Sequence, residues 1–346
     1  MSIFDKARIA ILEDKTLWKG WSHLRGITFD FFREGRAPHR LSWEVFDRRN
    51  ASAILLHNVA RDTVTLVRQL RIAAHLSGDH PYLPDLAAID ARLLLEAAAG
   101  ASRMDILTDP YRPITADQLS AYEAMVERRL KREPVSRIVG KKGFWKIMLN
   151  VTPDVLSPRP DTETLMDVSM LAFGKTEAFD AIDLGTGSGA ILLALLAERP
   201  AARGVGTDIS SEALAVAKEN AANLDLNERA TFLRTEWAAG FGDASFDLVL
   251  SNPPYIPTDH IATLDPEVRD HDPHLALDGG PDGLQAYRDL APEVKRILKP
   301  LGVFAVEIGW DQGPQVKALF EAAGFEHVII VKDLSDRDRV ITNGPD

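Results

Sequence analysis

The feature that most restricts the fold is a regular alternation of apolar runs and helical stretches after residue 180. AIDLG at 181–185, FDLVL at 246–250 and GVFAVEIG at 302–309 have the length and character of buried strands. AILLALLAERP at 190–200 and SEALAVAKENAANLDL at 211–226 have the length of helices. Strands that alternate with such helices fold into a mostly parallel sheet covered on both faces. We therefore predict a doubly wound α/β domain.

Two segments of different character precede this alternation. Residues 27–71 contain short β-branched and aromatic runs, which predict antiparallel strands. From residue 86 the chain is rich in alanine and leucine at helical spacing, and SGDHPYLPD at 77–85 has the composition of a linker. The predicted division is residues 1–85, residues 86–150 including a hairpin at their end, and residues 151–346, with the first boundary between 62 and 86.

Composition and charge exclude several classes of protein. The 346 residues include no cysteine, which excludes disulfides, thiolate metal sites and a cysteine nucleophile. Residues 1–85 carry 13 basic and 10 acidic side chains, whereas the remainder carries 27 and 41, a balance of −14. This acidic portion disfavours a phosphate-binding surface, so we expect no direct sequence-specific nucleic-acid binding. Without a signal segment or a membrane-spanning run, we expect a cytoplasmic protein that does not bind membranes.

A glycine-rich turn ends the first strand of the alternation. Gly185, Gly187 and Gly189 allow a sharp turn that brings main-chain N–H groups close to a ligand. Asp208 ends the next strand, where a carboxylate can accept both hydroxyls of a ribose. Glycine also serves any tight turn, and an aspartate there can simply cap the following helix. Glycine at every second residue differs from the G-x-G-x-x-G dinucleotide pattern, but spacing alone does not separate a dinucleotide from S-adenosylmethionine.

The sequence SNPPYIP at 251–257 stops a buried strand on an asparagine. Pro253 and Pro254 cannot donate to a sheet ladder, so the strand must end at Asn252. The Asn252 side-chain oxygen and a main-chain carbonyl freed by Pro253 are two acceptors, which suit an NH₂ group. Tyr255 would cover a planar substrate face. The segment predicts methylation of an amide or an exocyclic amine.

These features should meet in one crevice. In a doubly wound sheet, ligands bind outside the carboxyl ends of the strands. The glycine turn, Asp208 and Asn252 end three strands, and the pair Glu236-Trp237 ends a fourth, where a carboxylate or a ring can meet adenine. A capped loop with an anchoring tryptophan is an equally good interpretation of that pair.

Several stretches after residue 86 resemble one enzyme family. The stretches DARLLLEAAAG, RRLKREPVSRIVGKKGFW, SPRPDTETL, DLGTGSGA, SNPPYIP, LALDGGPDGLQAYR and EIGWDQG are similar to those of the release factor glutamine N5-methyltransferases (PrmC/HemK type). NPPY is shared with adenine and cytosine amino-methyltransferases, whereas PRPDTE at 158–163 is more specific. The resemblance implies a Rossmann-like class I S-adenosylmethionine-dependent methyltransferase domain after a small helical domain. It also implies methylation of the glutamine in the GGQ motif of peptide chain release factors, which the helical domain would recognise.

The resemblance also implies roles for individual residues. The set implied to bind S-adenosylmethionine is Gly185, Thr186, Gly187, Ser188, Gly189, Asp208, Trp237 and Asn252. The set implied to be catalytic and to hold the glutamine is Asn252, Pro253, Pro254 and Tyr255, with Phe144 of the Phe144-Trp145 pair near the acceptor. Arg159 and Glu163 are expected to form a structural ion pair at the cofactor mouth. Ser157 stands where the family has isoleucine, at an expected packing position.

Residues 1–85 resemble a second family. TFDFFREGRAPHRLSWEVFDRRNASAILLHN and TVTLVRQLRIAAHLSG are similar to the start of Nudix hydrolases of the GDP-mannose/ADP-sugar pyrophosphatase type. The Mg²⁺-binding helix of that family, G-x5-E-x7-R-E-x2-E-E-x-G, has no counterpart in this sequence. We therefore expect a truncated Nudix-like β fragment without pyrophosphatase activity. It would serve docking or self-association, or have no function.

Two further groups of residues are given structural interpretations. His271, Asp272 and His274 lack a further partner at a convincing spacing, so we interpret RDHDPH as a solvated loop on the substrate side and predict no metal site. Glu307 ends a strand, and we interpret it as a structural carboxylate.

Three functions remain to be distinguished. The first is methylation of the release factor glutamine. The second is nucleic-acid adenine N6-methylation at the same NPPY site, which the acidic balance disfavours. The third is a Nudix-derived binding protein with a vestigial catalytic half, which the intact glycine turn, Asp208 and NPPY set disfavours.

Overall fold

The chain divides into two compact units, residues 1–130 and residues 131–346. The structure, a computed structural model, describes residues 8–19, 23–32, 39–48, 51–58, 63–67, 88–109 and 113–344, with side chains described from residue 89 onward. The predicted linker at 77–85 lies outside the described residues. No helix in the described ranges is long and apolar enough to cross a membrane.

The first unit begins with an antiparallel sheet. Each strand pairs with the next along the chain, in the order β1 (Arg8–Lys19), β2 (His23–Phe32), β3 (His39–Arg48), β4 (Ala51–Asn58) and β5 (Thr63–Val67). The antiparallel strands predicted within residues 27–71 are confirmed. Strand β1 was not predicted.

Helices follow the sheet in this unit. They are α1 (Ala88–Ala99), α2 (Arg103–Thr108) and α3 (Ala116–Leu130). Helix α2 begins with a reciprocal capping box between Ser102 and Asp105. Helices α1 and α3 are joined by an ion pair of 3.0 Å between Arg129 and Asp90. The helical segment predicted from residue 86 is therefore present.

The second unit is built on a seven-stranded sheet. The spatial order is β10 (Ala230–Arg234), β9 (Arg203–Asp208), β8 (Asp180–Leu184), β11 (Phe246–Ser251), β12 (Leu298–Glu307), β14 (Asp338–Thr342) and β13 (Ile329–Lys332). Strands β8 to β12 pair in parallel, and β14 runs antiparallel to both of its neighbours. The doubly wound sheet is confirmed. Its strand order reverses between β8 and β11, which is where such sheets bind ligands.

Helices cover the sheet and connect its strands. They are α4 (Val135–Val139), α5 (Glu163–Ala172), α6 (Ala190–Glu198), α7 (Ser211–Asn223), α8 (Pro266–Arg269), α9 (Gln285–Ile297) and α10 (Gly313–Ala322). The 3-10 turns are Pro160–Thr162, Thr258–Thr263 and His274–Ala276.

The sheet separates two hydrophobic cores. Alternate residues of β11 point to opposite faces, so Leu248 and Leu250 join one core while Val249 joins the other. The first core also takes in Phe144 and Leu149 from the hairpin of β6 (Lys141–Phe144) and β7 (Ile147–Asn150). The hairpin therefore packs with residues 131–346, whereas the sequence grouped it with the helical domain.

Candidate active site

The glycine turn between β8 and α6 adopts a backbone that favours glycine. Gly185, Gly187 and Gly189 have φ values of 74°, 54° and 79°, in the left-handed region where a β-carbon is strained. The main-chain N–H groups of Gly185 and Thr186 donate to the Thr207 carbonyl at 2.9 and 2.8 Å. These two hydrogen bonds anchor the turn to β9. The residues that follow, Gly187 and Ser188, line an open cleft.

Asp208 joins the end of β9 to this turn. Its Oδ2 accepts from the Gly187 N–H at 3.0 Å, and its Oδ1 accepts from the Ser210 N–H at 2.9 Å. The N-cap of α7 is Ser210, whose hydroxyl accepts from the Ala213 N–H at 3.0 Å. Asp208 therefore holds the glycine turn and lines the cleft, and the capping role belongs to a different residue.

A buried aspartate lies beneath the turn. Asp183, on β8, is fully buried, and its Oδ2 accepts from the Thr186 hydroxyl at 2.7 Å. Burial raises the pKa of the Asp183 carboxyl to about 7, against the smaller opposing effect of the Thr186 hydrogen bond. The sequence analysis missed this residue, although its position two places before Gly185 marks it as a support for the turn.

Trp237 closes one side of the cleft. It lies after β10 with a φ of 44°, which is uncommon for a bulky residue and marks a backbone held by its surroundings. A β-carbon built on Gly185 would lie 3.5 Å from the Trp237 ring. The ring thus lies within van der Waals reach of the glycine turn.

Asn252 lies in the NPPY segment that follows β11, the strand that pairs with β8 and its glycine turn. Its Nδ2 donates to the Thr162 hydroxyl at 3.2 Å. Its amide oxygen receives no hydrogen bond from the described part of the chain. Asn252 and Pro254 line the cleft together with Thr162. The asparagine therefore keeps an acceptor for a ligand.

Gln312 fixes the main chain of the NPPY segment. Its Nε2 donates to the carbonyls of Tyr255 and Gly283 at 3.0 and 3.1 Å, while its Oε1 accepts from the Gly309 N–H at 3.0 Å. Gly283 has a φ of 72° and lies so close that a β-carbon there would come within 2.5 Å of the Tyr255 carbonyl oxygen. The DGGPDG and GWDQG motifs thus meet at the main chain of Tyr255, three positions after Asn252.

Tyr255 points into the protein. Its hydroxyl donates to Glu307 Oε1 at 3.4 Å, and its ring packs against the second core. Burial, and then the neighbouring Glu307 charge, raise the pKa of the tyrosine hydroxyl. Burial also raises the pKa of Glu307, at the end of β12, to about 7. Neither the Tyr255 ring nor Pro253 forms part of the cleft wall.

The structure corrects two expectations about the mouth of the cleft. Arg159 pairs with Asp272 at 2.5 Å rather than with Glu163. Glu163 instead accepts from the Trp145 N–H at 3.0 Å. Asp272 is not solvated, because its side chain is 1% exposed and also pairs with Arg137 at 2.9 Å. The two arginines lie 113 and 135 positions from Asp272, too far for sequence spacing to reveal the contacts.

The cleft collects most of the residues singled out in the sequence. Those that line it are Gly185, Thr186, Gly187, Ser188, Asp208, Trp237, Asn252 and Pro254. Gly189 instead begins α6. Phe144 is 2% exposed and belongs to the first core, so the structure does not bring it to the cleft. In the described residues, His271, Asp272 and His274 belong to no group placed to hold a metal.

Two parts of the chain match families of known proteins. Residues 84–140 match the family described as "PrmC N-terminal domain", and residues 175–336 match a "Methyltransferase domain". A release factor glutamine methyltransferase of Caulobacter vibrioides is 63% identical over 257 residues, which are 74% of this chain and 89% of that protein. Proteins of the same name from Agrobacterium fabrum and Rhodospirillum rubrum are 45% and 49% identical, over 73% of this chain and 89% and 77% of theirs.

The chain belongs to the release factor glutamine methyltransferase family. It is a methyltransferase with a class I, Rossmann-like fold, and its methyl donor is S-adenosylmethionine. The cleft fits that donor for two reasons. The glycines of the turn carry no side chain that would fill the space next to Trp237, and the Asp208 carboxylate beside them can accept further hydrogen bonds. The prediction of the fold, of the enzyme class and of the cofactor is confirmed.

Proposed function

We propose that this methyltransferase modifies the side-chain amide nitrogen (N5) of the glutamine in the GGQ motif of peptide chain release factors. The observation that carries this proposal is that the glycine turn with Asp208 and the NPPY asparagine line one and the same cleft. The bound S-adenosylmethionine supplies an electrophilic methyl group on a sulfonium. The similar proteins from Caulobacter vibrioides, Agrobacterium fabrum and Rhodospirillum rubrum are named release factor glutamine methyltransferases.

The chain's contribution to the reaction is positioning. An amide nitrogen is a poor nucleophile because its lone pair is delocalised. The Asn252 oxygen and a main-chain carbonyl of the NPPY segment would each accept one N–H of the substrate amide. Holding both hydrogens fixes the plane of the amide and directs its nitrogen at the methyl group, and such orientation can supply most of the acceleration. The proton is lost after the nitrogen has been methylated, so no strong base is required.

The residues proposed for this task form two sets. Cofactor binding is assigned to Gly185, Thr186, Gly187, Ser188, Asp208 and Trp237, all of which line the cleft. The acceptor amide is assigned to Asn252 and Pro254 on the cleft wall, with Pro253 and Tyr255 fixing their backbone. Phe144 is left out of the acceptor site because it lies in the core.

The remaining parts of the chain are assigned as follows. Residues 86–130, within the region matched by the PrmC N-terminal family, would recognise the release factor in the cytoplasm. Residues 1–85 would be a Nudix-like β fragment that mediates self-association and has no hydrolase activity. Nucleic acid would not be a substrate, since residues 86–346 carry a balance of −14 charges.

One assay tests the proposal. The full chain is offered radiolabelled S-adenosylmethionine with a release factor, the same factor with its GGQ glutamine changed to alanine, transfer RNA and duplex DNA. Label should enter the unmodified release factor and not the altered one. Equal labelling of both factors, or labelling of a nucleic acid in preference, would refute the proposal.

A further inference from the structure

Thr162 is a buried hydroxyl at the edge of the acceptor site. It is 3% exposed, ends the 3-10 turn Pro160–Thr162 and lines the cleft. Its Oγ1 accepts from the Asn252 Nδ2 at 3.2 Å, although the two residues lie 90 positions apart. The contact joins the PRPDTE element to the NPPY segment.

This contact sets which end of the Asn252 side chain faces the substrate. Thr162 accepts a hydrogen bond from the NH₂ end of the asparagine. The amide oxygen is then left for the acceptor site. In the reversed orientation, the NH₂ end would meet the NH₂ group of a substrate amide, and two donors do not pair.

We propose that Thr162 is a positioning residue that holds the Asn252 side chain with its oxygen toward the acceptor nitrogen. This inference rests on the proposed release factor substrate. It gives the PRPDTE element a role in the orientation of the substrate, whereas the sequence assigned that element to the mouth of the cofactor site. Thr162 need not touch the substrate, because it acts through Asn252.

The test compares Thr162→Val, which keeps the shape and removes the hydroxyl, with Thr162→Ser, which keeps the hydroxyl. Thr342→Val is the matched control, since Thr342 is equally buried and its hydroxyl bonds the Phe304 carbonyl on β12. For the release factor, kcat should fall about 10-fold or more in Thr162→Val, as expected when one orienting hydrogen bond is lost. Thr162→Ser should restore most of kcat, and Thr342→Val should keep it. The dissociation constant for S-adenosylmethionine should stay within about twofold in all three variants.

A second readout needs no substrate. In ¹⁵N-labelled full-length protein, the Asn252 side-chain N–H signals are identified by their loss in Asn252→Ala. These signals should shift in Thr162→Val and return toward their wild-type positions in Thr162→Ser. Unchanged signals in Thr162→Val, an unchanged kcat, or equal losses in the valine and serine variants would overturn the inference. Failure of the wild-type chain to label release factor would instead count against the proposed substrate.

Discussion

Arg137 and Asp272 form an ion pair of 2.9 Å in which the two side chains are only 3% and 1% exposed. Arg137 lies on α4, and its Nη2 also donates to the Val155 carbonyl. Asp272 binds Arg159 with its other oxygen. The segment before the cofactor site and the loop after the NPPY segment are therefore joined at one buried carboxylate.

Replacing this carboxylate should destabilise the protein strongly. Asp272→Ala removes the carboxylate that pairs with both Arg137 and Arg159, and breaking a buried ion pair costs about 3–5 kcal/mol. Asp270→Ala is the control, because its 2.7 Å pair with Arg269 is solvent-exposed and should contribute little. Urea unfolding monitored by tryptophan fluorescence measures both. Equal effects of the two variants would show that the buried pair is not a significant support.

Asn252→Ala should separate catalysis from cofactor binding. The acceptor amide would lose one of two hydrogen-bond partners and its in-line orientation, which costs roughly 10²–10³ in rate for a preorganised polar contact. Affinity for S-adenosylmethionine should change little, since the glycine turn and Asp208 remain. Single-turnover methyl transfer and equilibrium titration with the cofactor measure the two effects. A turnover rate close to that of the wild type would show that Asn252 does not act in catalysis.

Asp208→Ala should act on the cofactor instead. It removes the proposed ribose acceptor and the hydrogen bond to the Gly187 N–H, so S-adenosylmethionine binding should weaken by roughly 1–3 kcal/mol. Ser210→Ala is the matched control, because it removes the cap of α7 without touching the glycine turn. Calorimetric titration should show a large loss for the first variant and a small one for the second. Similar losses would mean that Asp208 acts only through the start of the helix.

Glu307→Gln should change the pH dependence of stability. Burial raises the pKa of Glu307 from near 4.5 to about 7, so between these values the unfolded chain loses a proton that the folded chain keeps. The stability that this carboxyl contributes is full below pH 4.5 and falls as the pH rises through 7. Relative to wild type, the variant should therefore gain on the order of 3 kcal/mol between pH 5 and pH 8. The free energy of unfolding is measured at pH 5 and at pH 8. Glu321→Gln, at an exposed position, is the control for the loss of one charge. A difference that does not vary with pH would contradict the expectation.

Removal of residues 1–61 should leave the methyltransferase active. The Caulobacter vibrioides relative aligns over 257 residues that make up 89% of its length, and the cleft residues all lie beyond 150. The full chain should self-associate more than the shortened one, because a small antiparallel sheet leaves strand edges to pair. Light scattering of both chains tests the association.

The same pair of chains tests the Nudix-like interpretation. Neither should release phosphate groups from GDP-mannose or ADP-ribose with Mg²⁺, because the sequence lacks the carboxylate helix. Metal-dependent hydrolysis by the full chain that disappears on shortening would make the protein bifunctional.

The residues that could be predicted from the sequence are those whose role follows from their place on a strand. Asp208 and Asn252 directly end or follow parallel strands, so the fold alone brings them to one cleft. The alternation of strands and helices could also be predicted, because a parallel sheet that is buried on both faces needs apolar strands and covering helices.

The residues that could not be predicted depend on contacts between distant segments. The sequence analysis gave Thr162 and Gln312 no individual role and interpreted Asp272 as part of a solvated loop. The fold places the three residues against Asn252, Tyr255 and Arg137, respectively. The turn that gives Trp145 a φ of 53° likewise depends on Glu163, 18 positions away. No local pattern encodes such pairs.

Gly283 lies so close to Tyr255 that a substitution in its loop would also affect the NPPY segment. Any side chain at 283 must displace both the Tyr255 carbonyl oxygen and the Gln312 side-chain nitrogen, which lie 2.5 and 2.8 Å from the position of its β-carbon. Gly279 is confined in the same way, with the Tyr255 α-carbon 2.8 Å from such an atom. A side chain at either glycine would therefore disturb the main chain of the NPPY segment, although neither glycine lines the cleft.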